Sequence, residues 1–268
     1  METKQYRMLT IETQSGVAIV TISNPPINVL SAALTRELVE FTDQAESDPD
    51  IRVIVFRSGD PAFFLSHSDV HLFLQHESSD SKFALEAFRK MTRRFRTWDK
   101  VTIAQIEGRA SGGGSEFLEA ADMRFAAIGK TFISHPEVSL GFIPCKGGSQ
   151  RLPALVGRAR ALEMILGGAF IGAEAAEVYG LVNRALMPVA LGSFVEKLAL
   201  RIAACPEETV RYAKQCVNAG VEEGLAGFTV EKTLFDKIIV TSETQRRLHA
   251  YNEHVGQDRD KELRMGLK

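Results

Sequence analysis

The chain has 268 residues, enough for one large domain, or for one domain with a C-terminal appendage. Apolar residues make up 45% and charged residues 25%, the balance of an ordinary soluble globular protein, and a net charge of −2 gives no bulk attraction to nucleic acid or to an acidic membrane. Three cysteines (Cys145, Cys205, Cys216) lack C-x-x-C spacing, the N-terminus lacks the apolar stretch of a secretory signal, and no apolar run reaches a membrane span, so a soluble cytoplasmic protein is expected.

Met8–Glu12 and Val17–Ile22 are β-rich runs around the turn Thr13–Gly16 and predict a hairpin. Asn24–Asn28 (NPPIN) excludes regular structure, because paired prolines remove donors and fix φ. Ser31 then caps a helix predicted over Ala32–Glu46. Val53–Phe56 and Phe63–Leu65 read as strands, and Asp69–Trp98 as helical with a polar break at Glu77–Ser81. Val101–Ile106 is a strand, followed by the glycine-rich segment Gly108–Asp122 (GRASGGGSEFLEAAD) with a short helix over Glu116–Ala121. Met123–Ala127 and Thr131–Ser134 are short strands, and Gly141–Gln150 is a loop. Helices are predicted over Leu155–Leu166 and Ala173–Tyr179, with a strand over Leu181–Leu186. The remainder is helical: Gly192–Ala203, Glu207–Ala219, Gly224–Val240 and Ser242–His254. The charged tail Gly256–Lys268 lacks periodicity and is expected to be mobile or docked on a partner. Strands early and helices late predict an α/β core with an all-helical C-terminal extension.

The glycine triplet carries the first chemical signal. Consecutive glycines between a strand and a helix let backbone N–H groups face a ligand with no Cβ in the way, and the helix dipole adds partial positive charge there. Glu116 puts a carboxylate in the first helical turn, so a developing oxyanion and an acid or base could meet at this opening. A dinucleotide loop fits less well, because Glu116 would repel a phosphate. The other reading is a tight strand-to-helix turn with Glu116 merely favourable at a helix N-terminus.

Other constellations are weaker. His67, Asp69, His71 and His76 fit no compact metal motif, and only His67 and His71 would share a helical face, so no metal is expected. GGGSEF and GGSQRL both lack the closing glycine of G-x-S-x-G, which argues against a serine hydrolase. Cys145 reads as a passive small residue rather than a nucleophile.

Taken as a set, five segments carry a resemblance. NPPINVLS, VIVFRSGDPAFFLSHSDV, IEGRASGGGSEFLEAADMRFAA, HPEVSLGFIPCKGGSQRLPALVGRARALEMILGG and AAEVYGLVNRAL occur in the order found in the crotonase superfamily, the enoyl-CoA hydratase/isomerase family, and the chain resembles it from about Met8 to Val240. The resemblance implies a crotonase-like α/β spiral of ββα turns over residues 1–190 and a helical oligomerisation region over residues 191–268. It implies a homotrimer or a hexamer built as a dimer of trimers, and a role in fatty acid metabolism. The substrate would be an acyl-CoA thioester, with coenzyme A arriving as part of the substrate and no permanently bound cofactor. Carried across by position, the N–H groups of Ser68 and Gly113 would form an oxyanion hole, with Ser66, His67, Asp69 and Gly112 as substrate-binding neighbours. Glu116 and Glu137 fall where family hydratases flank a bound water. Glu116 would then deprotonate water attacking C3 and Glu137 would protonate C2 of a 2-enoyl-CoA.

Two positions depart from the family pattern. His67 stands where the family has glycine, at a cost if that position needs positive φ. Lys146, in the loop Pro144-Cys145-Lys146-Gly147-Gly148, is expected near the acyl pocket. No clear match to the family's closing segment is found. These departures keep other crotonase reactions open (isomerisation, thioester hydrolysis, decarboxylation), together with a non-catalytic acyl-CoA-binding homologue whose channel His67 and Lys146 block.

Overall fold

In the computed structural model, which describes residues 5–222 and 227–254, three successive turns in the middle of the chain each lay one strand in a large sheet and one in a small sheet before a helix returns the chain. The entry is a hairpin of β1 (Leu9–Gln14) and β2 (Val17–Ile22), antiparallel with Leu9 opposite Ile22. Helix α1 (Ala32–Ser47) follows, and the Ser31 hydroxyl accepts from Leu34 N at 3.2 Å as the spacing predicts. Next come β3 (Val53–Ser58), β4 (Phe63–Leu65), α2 (Val70–Leu74) and α3 (Ser79–Thr97). A further turn consists of β5 (Val101–Ile106), β6 (Arg109–Ser111) and α4 (Gly113–Ala120). Then follow β7 (Met123–Ala127), β8 (Phe132–Ser134), a 3₁₀ turn over Glu137–Leu140, α5 (Gly148–Val156) and α6 (Arg158–Gly167). The core closes with β9 (Ile171–Gly172), α7 (Ala173–Tyr179), β10 (Arg184–Leu186) and α8 (Pro188–Ala203).

The large sheet has the order β1-β2-β3-β5-β7-β10 and is parallel from β2 onward; the small sheet runs β4-β6-β8-β9, with β9 antiparallel to β8. Parallel strands buried on both faces need apolar runs, and VIVF in β3 and VTIA in β5 supply them. Between the layers, Phe117 of α4 meets Phe56 edge-on at 5.1 Å between ring centroids, Phe95 edge-on at 6.0 Å, and Phe88 at 6.2 Å. The aromatic cluster anchors α4 beside the glycines.

The chain divides into two compact units, Met1–Ala204 and Cys205–Lys268. The second contains α9 (Glu207–Glu222), α10 (Gly227–Ile238) and α11 (Ser242–His254). Gly224, the expected start of the tenth helix, and the tail Gly256–Lys268 lie outside the described residues. Among the described residues no helix is long and apolar enough to cross a membrane.

Several details differ from the sequence expectation: the strand expected over Leu181–Leu186 covers only Arg184–Leu186, and the helix expected from Gly192 starts at Pro188. The glycine segment holds a strand, β6, and its helix begins at Gly113 rather than Glu116. The helix expected over Leu155–Leu166 breaks at Gly157, whose φ of 78° no continuing helix can adopt. The loop expected over Gly141–Gln150 ends early, since Gly148 already opens α5.

Helix α4 lies against the end of β4 with no room for a side chain between them. A Cβ on Gly114 would overlap the Leu65 carbonyl, with the Leu65 carbonyl carbon at 2.9 Å. Gly114→Ala is expected to destabilise the protein by about 1–3 kcal/mol through overpacking, read as a lower midpoint of urea unfolding.

Candidate functional site

The proline–asparagine segment sets the site's first wall. Asn28 is buried at φ 51°, and its amide group accepts from Asn24 N at 2.6 Å and donates to Ser58 Oγ at 2.7 Å. Its carbonyl accepts from Ser66 N, and Leu30 pairs with the next residues, donating to His67 O and accepting from Asp69 N. That bridge uses the backbone groups on either side of Ser68 and faces the Ser68 N–H the other way, toward Gly113. A Cβ on Gly113 would lie 3.4 Å from Ser68 N, so two amides from separate turns of the spiral come together. Among the described residues neither the Ser68 nor the Gly113 N–H enters a hydrogen bond.

A cavity of about 420 Å³ opens over these amides and is lined by His67, Ser68, Gly112, Gly113, Glu116 and Glu137. Its outer wall is apolar, with Phe73 and Phe142 ring centroids 4.9 Å apart and Val70, Leu74 and Leu140 exposed around the mouth. Six of the eight predicted site residues therefore meet in one cavity. The other two do not line it: Ser66 is buried, and Asp69 caps α2 by accepting from His71 N at 3.0 Å. Positive φ among non-glycine residues described falls on Ser15 and Asn28, so His67 occupies the family's glycine position without left-handed strain.

Glu116 is held on one side. Its Oε1 accepts from Lys146 N at 2.6 Å and Gly148 N at 2.9 Å. Burial pushes its carboxyl above the ordinary value; these two donors pull it back, and the Glu119 and Glu137 charges raise it further. The loop that supplies the donors is pinned from outside, with Arg89 Nε on Cys145 O at 2.8 Å and Arg151 Nη1 on Lys146 O at 3.0 Å. Gly148 allows this approach, since a Cβ there would meet His135 Cε1 at 2.9 Å.

Glu137 starts the 3₁₀ turn beside Gly112, with Oε1 3.1 Å from where a Gly112 Cβ would stand. Behind it lies His135, fully buried, with Nε2 2.6 Å from Glu119 Oε1 and Nδ1 3.6 Å from Glu137 Oε2. The second distance is an ion-pair contact rather than a hydrogen bond. Burial disfavours a charged imidazole, but the Glu119 carboxylate, reinforced by Glu137, outweighs it and raises His135 to about 10. Sequence reasoning missed both Glu119 and His135. The available signal was position: Glu119 stands three residues after Glu116 on one helix, and His135 directly precedes Pro136-Glu137.

The remaining motif residues are structural. Ser115 donates to Ser134 O at 2.8 Å, which removes it as a nucleophile. Asp122 accepts from both Thr102 N and Thr102 Oγ1, tying α4 to β5. Burial, then the Glu116 charge, pushes the Cys145 thiol up, so it lines the cavity as a protonated thiol.

A spiral of ββα turns with a cavity at paired glycine and loop amides is the architecture of the crotonase superfamily. The chain belongs to the enoyl-CoA hydratase/isomerase family, whose model matches residues 12–259. It is 32% identical to a protein of Mycobacterium tuberculosis named "Probable enoyl-CoA hydratase", over 92% of this chain and 96% of that one. It is 29% identical to a crotonyl-CoA hydratase of Syntrophomonas wolfei, over 92% and 96%. Among solved structures, DspI of Pseudomonas aeruginosa superposes with a TM-score of 0.87 at 28% identity, covering 94% of this chain and 96% of that one. An enoyl-CoA hydratase of Geobacillus kaustophilus superposes with a TM-score of 0.86 at 28% identity, covering 93% and 95%.

The His135 pair makes stability depend on pH. A folded value near 10 against an ordinary 6.5 means His135 stabilises fully below pH 6.5, and that contribution is lost as pH rises through about 10. Lys146 works in the opposite sense, because burial, partly offset by Glu116, lowers its value to about 8 from 10.5; stability recovers over that interval. Of the two groups, His135 alone acts between pH 6.5 and 8. Urea unfolding there is expected to show stability falling toward about 1.4 kcal/mol per pH unit, with the slope gone in His135→Gln.

Proposed function

We propose that the protein is an enoyl-CoA hydratase, adding water across the C2–C3 double bond of a 2-enoyl-CoA thioester. The observation that carries this reading is the meeting of Glu116 and Glu137 in the cavity that also holds Ser68 and Gly113. Relatives named as enoyl-CoA hydratases support it.

In this reading the thioester oxygen accepts from the Ser68 and Gly113 N–H groups. Attack of water at C3 moves the C2–C3 electron pair toward C1 and leaves an enolate with its charge on that oxygen. Both donors are fixed before reaction, so no reorganisation opposes the charge as it develops. Glu116, locked on one carboxylate oxygen by the Lys146 and Gly148 amides, takes a proton from the attacking water. Glu137 delivers a proton to C2, and the enolate collapses to a 3-hydroxyacyl thioester. His135 holds Glu137 from behind. Coenzyme A enters and leaves as part of the substrate.

The helical region over residues 191–268 is read as the oligomerisation region of a trimer or hexamer. Val217 and Val221 on α9 and Phe228 and Phe235 on α10 are exposed, which supports that reading. A cytoplasmic location agrees with three free cysteines.

Hydration is followed as loss of the conjugated-thioester absorbance of crotonyl-CoA and longer 2-enoyl-CoAs. Glu116→Gln and Glu137→Gln are each expected to lower kcat by about 10²- to 10⁴-fold, the usual contribution of a positioned acid or base. Wild-type turnover that survives both substitutions would falsify the assignment.

A further inference from the structure

Lys146 is a buried cation that the hydration scheme does not use. Its residue is 2% exposed, and among the described residues no carboxylate forms an ion pair with it. Placing an ammonium there is costly unless its hydrogen bonds are used. Nζ lies 2.8 Å from Ser68 Oγ and 4.8 Å from the centre of the Phe88 ring. It does not line the catalytic cavity, so the side chain leaves the acyl channel open and turns behind it. The Ser68 hydroxyl, in turn, is wedged against Gly113, where a Cβ would overlap Oγ and lie 3.4 Å from Ser68 N. Hydroxyl and both free amides therefore share one corner. An ammonium can only donate, so it fixes Ser68 Oγ as acceptor and leaves the O–H proton free to be given to an acceptor in that corner.

We propose that Lys146 and the Ser68 hydroxyl form a third, cation-backed donor to the thioester oxygen, with Ser68 touching the oxygen and Lys146 positioning and polarising Ser68. The inference rests on the reading that the thioester carbonyl sits between the Ser68 and Gly113 amides. Hydrogen bonds backed by a charge are shorter and about twice as strong as neutral ones, and a chain of them polarises cooperatively. The donor is present at neutral pH and fades above it, because burial, opposed by Glu116 and aided by Arg89, holds the ammonium near 8. The other charges around it are Arg151, on its carbonyl, and Lys82 and His76, which share a small cavity with it.

The test uses the full chain and four variants: Lys146→Met, Lys146→Arg, Ser68→Ala and the Lys146→Met/Ser68→Ala double. One readout is kcat and KM for crotonyl-CoA hydration from pH 6 to 10. The other is the near-ultraviolet enolate band of bound acetoacetyl-CoA, which reports charge on the oxygen without any hydration. Lys146→Met and Ser68→Ala are expected to lower kcat by about 10- to 100-fold with KM little changed, and the double to lose no more than the worse single. Wild-type kcat falls as pH rises through about 8. Lys146→Met shows no such limb, and Lys146→Arg keeps activity while moving the limb beyond pH 10. The enolate band weakens in Lys146→Met and holds in Lys146→Arg. Additive losses, a Lys146→Met enzyme that keeps its kcat and its limb, or a change confined to KM would each overturn the proposal. If Lys146→Met does not fold, Lys146→Arg and Ser68→Ala decide by the same readouts. If the wild type hydrates no enoyl-CoA, the hydratase reading fails while the enolate band still tests Lys146.

Discussion

The site depends on one backbone-to-backbone contact, in which α4 begins against the end of β4 with no side chain between them. Gly114 faces the Leu65 carbonyl and Gly113 faces Ser68, and a methyl group at either position would overlap its neighbour. Close packing transmits such a contact directly, because an interior at crystal density has no slack to absorb it. Each side is then fixed independently. Phe117 locks α4 into the aromatic cluster, while Asn28 and the Leu30 bridge hold the segment from Ser66 to Asp69. Two amides that belong to different turns of the spiral are thereby held as neighbours without being hydrogen-bonded to each other or to anything else described. Ser68 and Gly113 thus present their N–H groups to the cavity rather than to a protein acceptor.

The same contact explains how the interior tolerates so many charges. Glu116, Glu119, His135, Glu137 and Lys146 are all buried around the start of α4. Bare charges would not persist there, but each has a dedicated partner: backbone amides for Glu116, the imidazole for Glu119 and Glu137, and a hydroxyl and an aromatic face for Lys146. Only Glu116 and Glu137 turn toward the cavity among them. The others set the geometry and charge of that pair from behind, so the carboxylates are positioned by side chains that solvent does not reach.

Much of this was legible in the chain, and the unread part follows a pattern. Long apolar strands such as Val53–Ser58 and capped helices such as Ala32–Ser47 announce themselves through periodicity and caps over many residues. The small sheet is only half legible: β4 and β8 read as short apolar runs, whereas β6 and β9, of three and two residues, are too short to show a period of two. Glu116 could be read locally from its place beside the glycines, whereas Glu137 became a candidate only through resemblance to a family. The partnerships were beyond reach for a different reason: His135 pairs with Glu119 across 16 positions and Lys146 with Ser68 across 78. Such pairs exist only once the spiral stacks its turns, and no local pattern encodes them.

His67 and Lys146, the two departures that raised the prospect of a blocked, non-catalytic homologue, have different outcomes. His67 lines the cavity without backbone strain, its Nδ1 drawn to the Ser68 carbonyl at 2.9 Å rather than across the opening. Lys146 leaves the channel altogether. A side chain selected only to fill space behind Ser68 would be apolar, since burying an ammonium costs several kcal/mol more than burying a methionine of similar length. A lysine here, with its hydrogen bond ending on the residue beside Gly113, puts that excess cost next to the two amides that face the cavity.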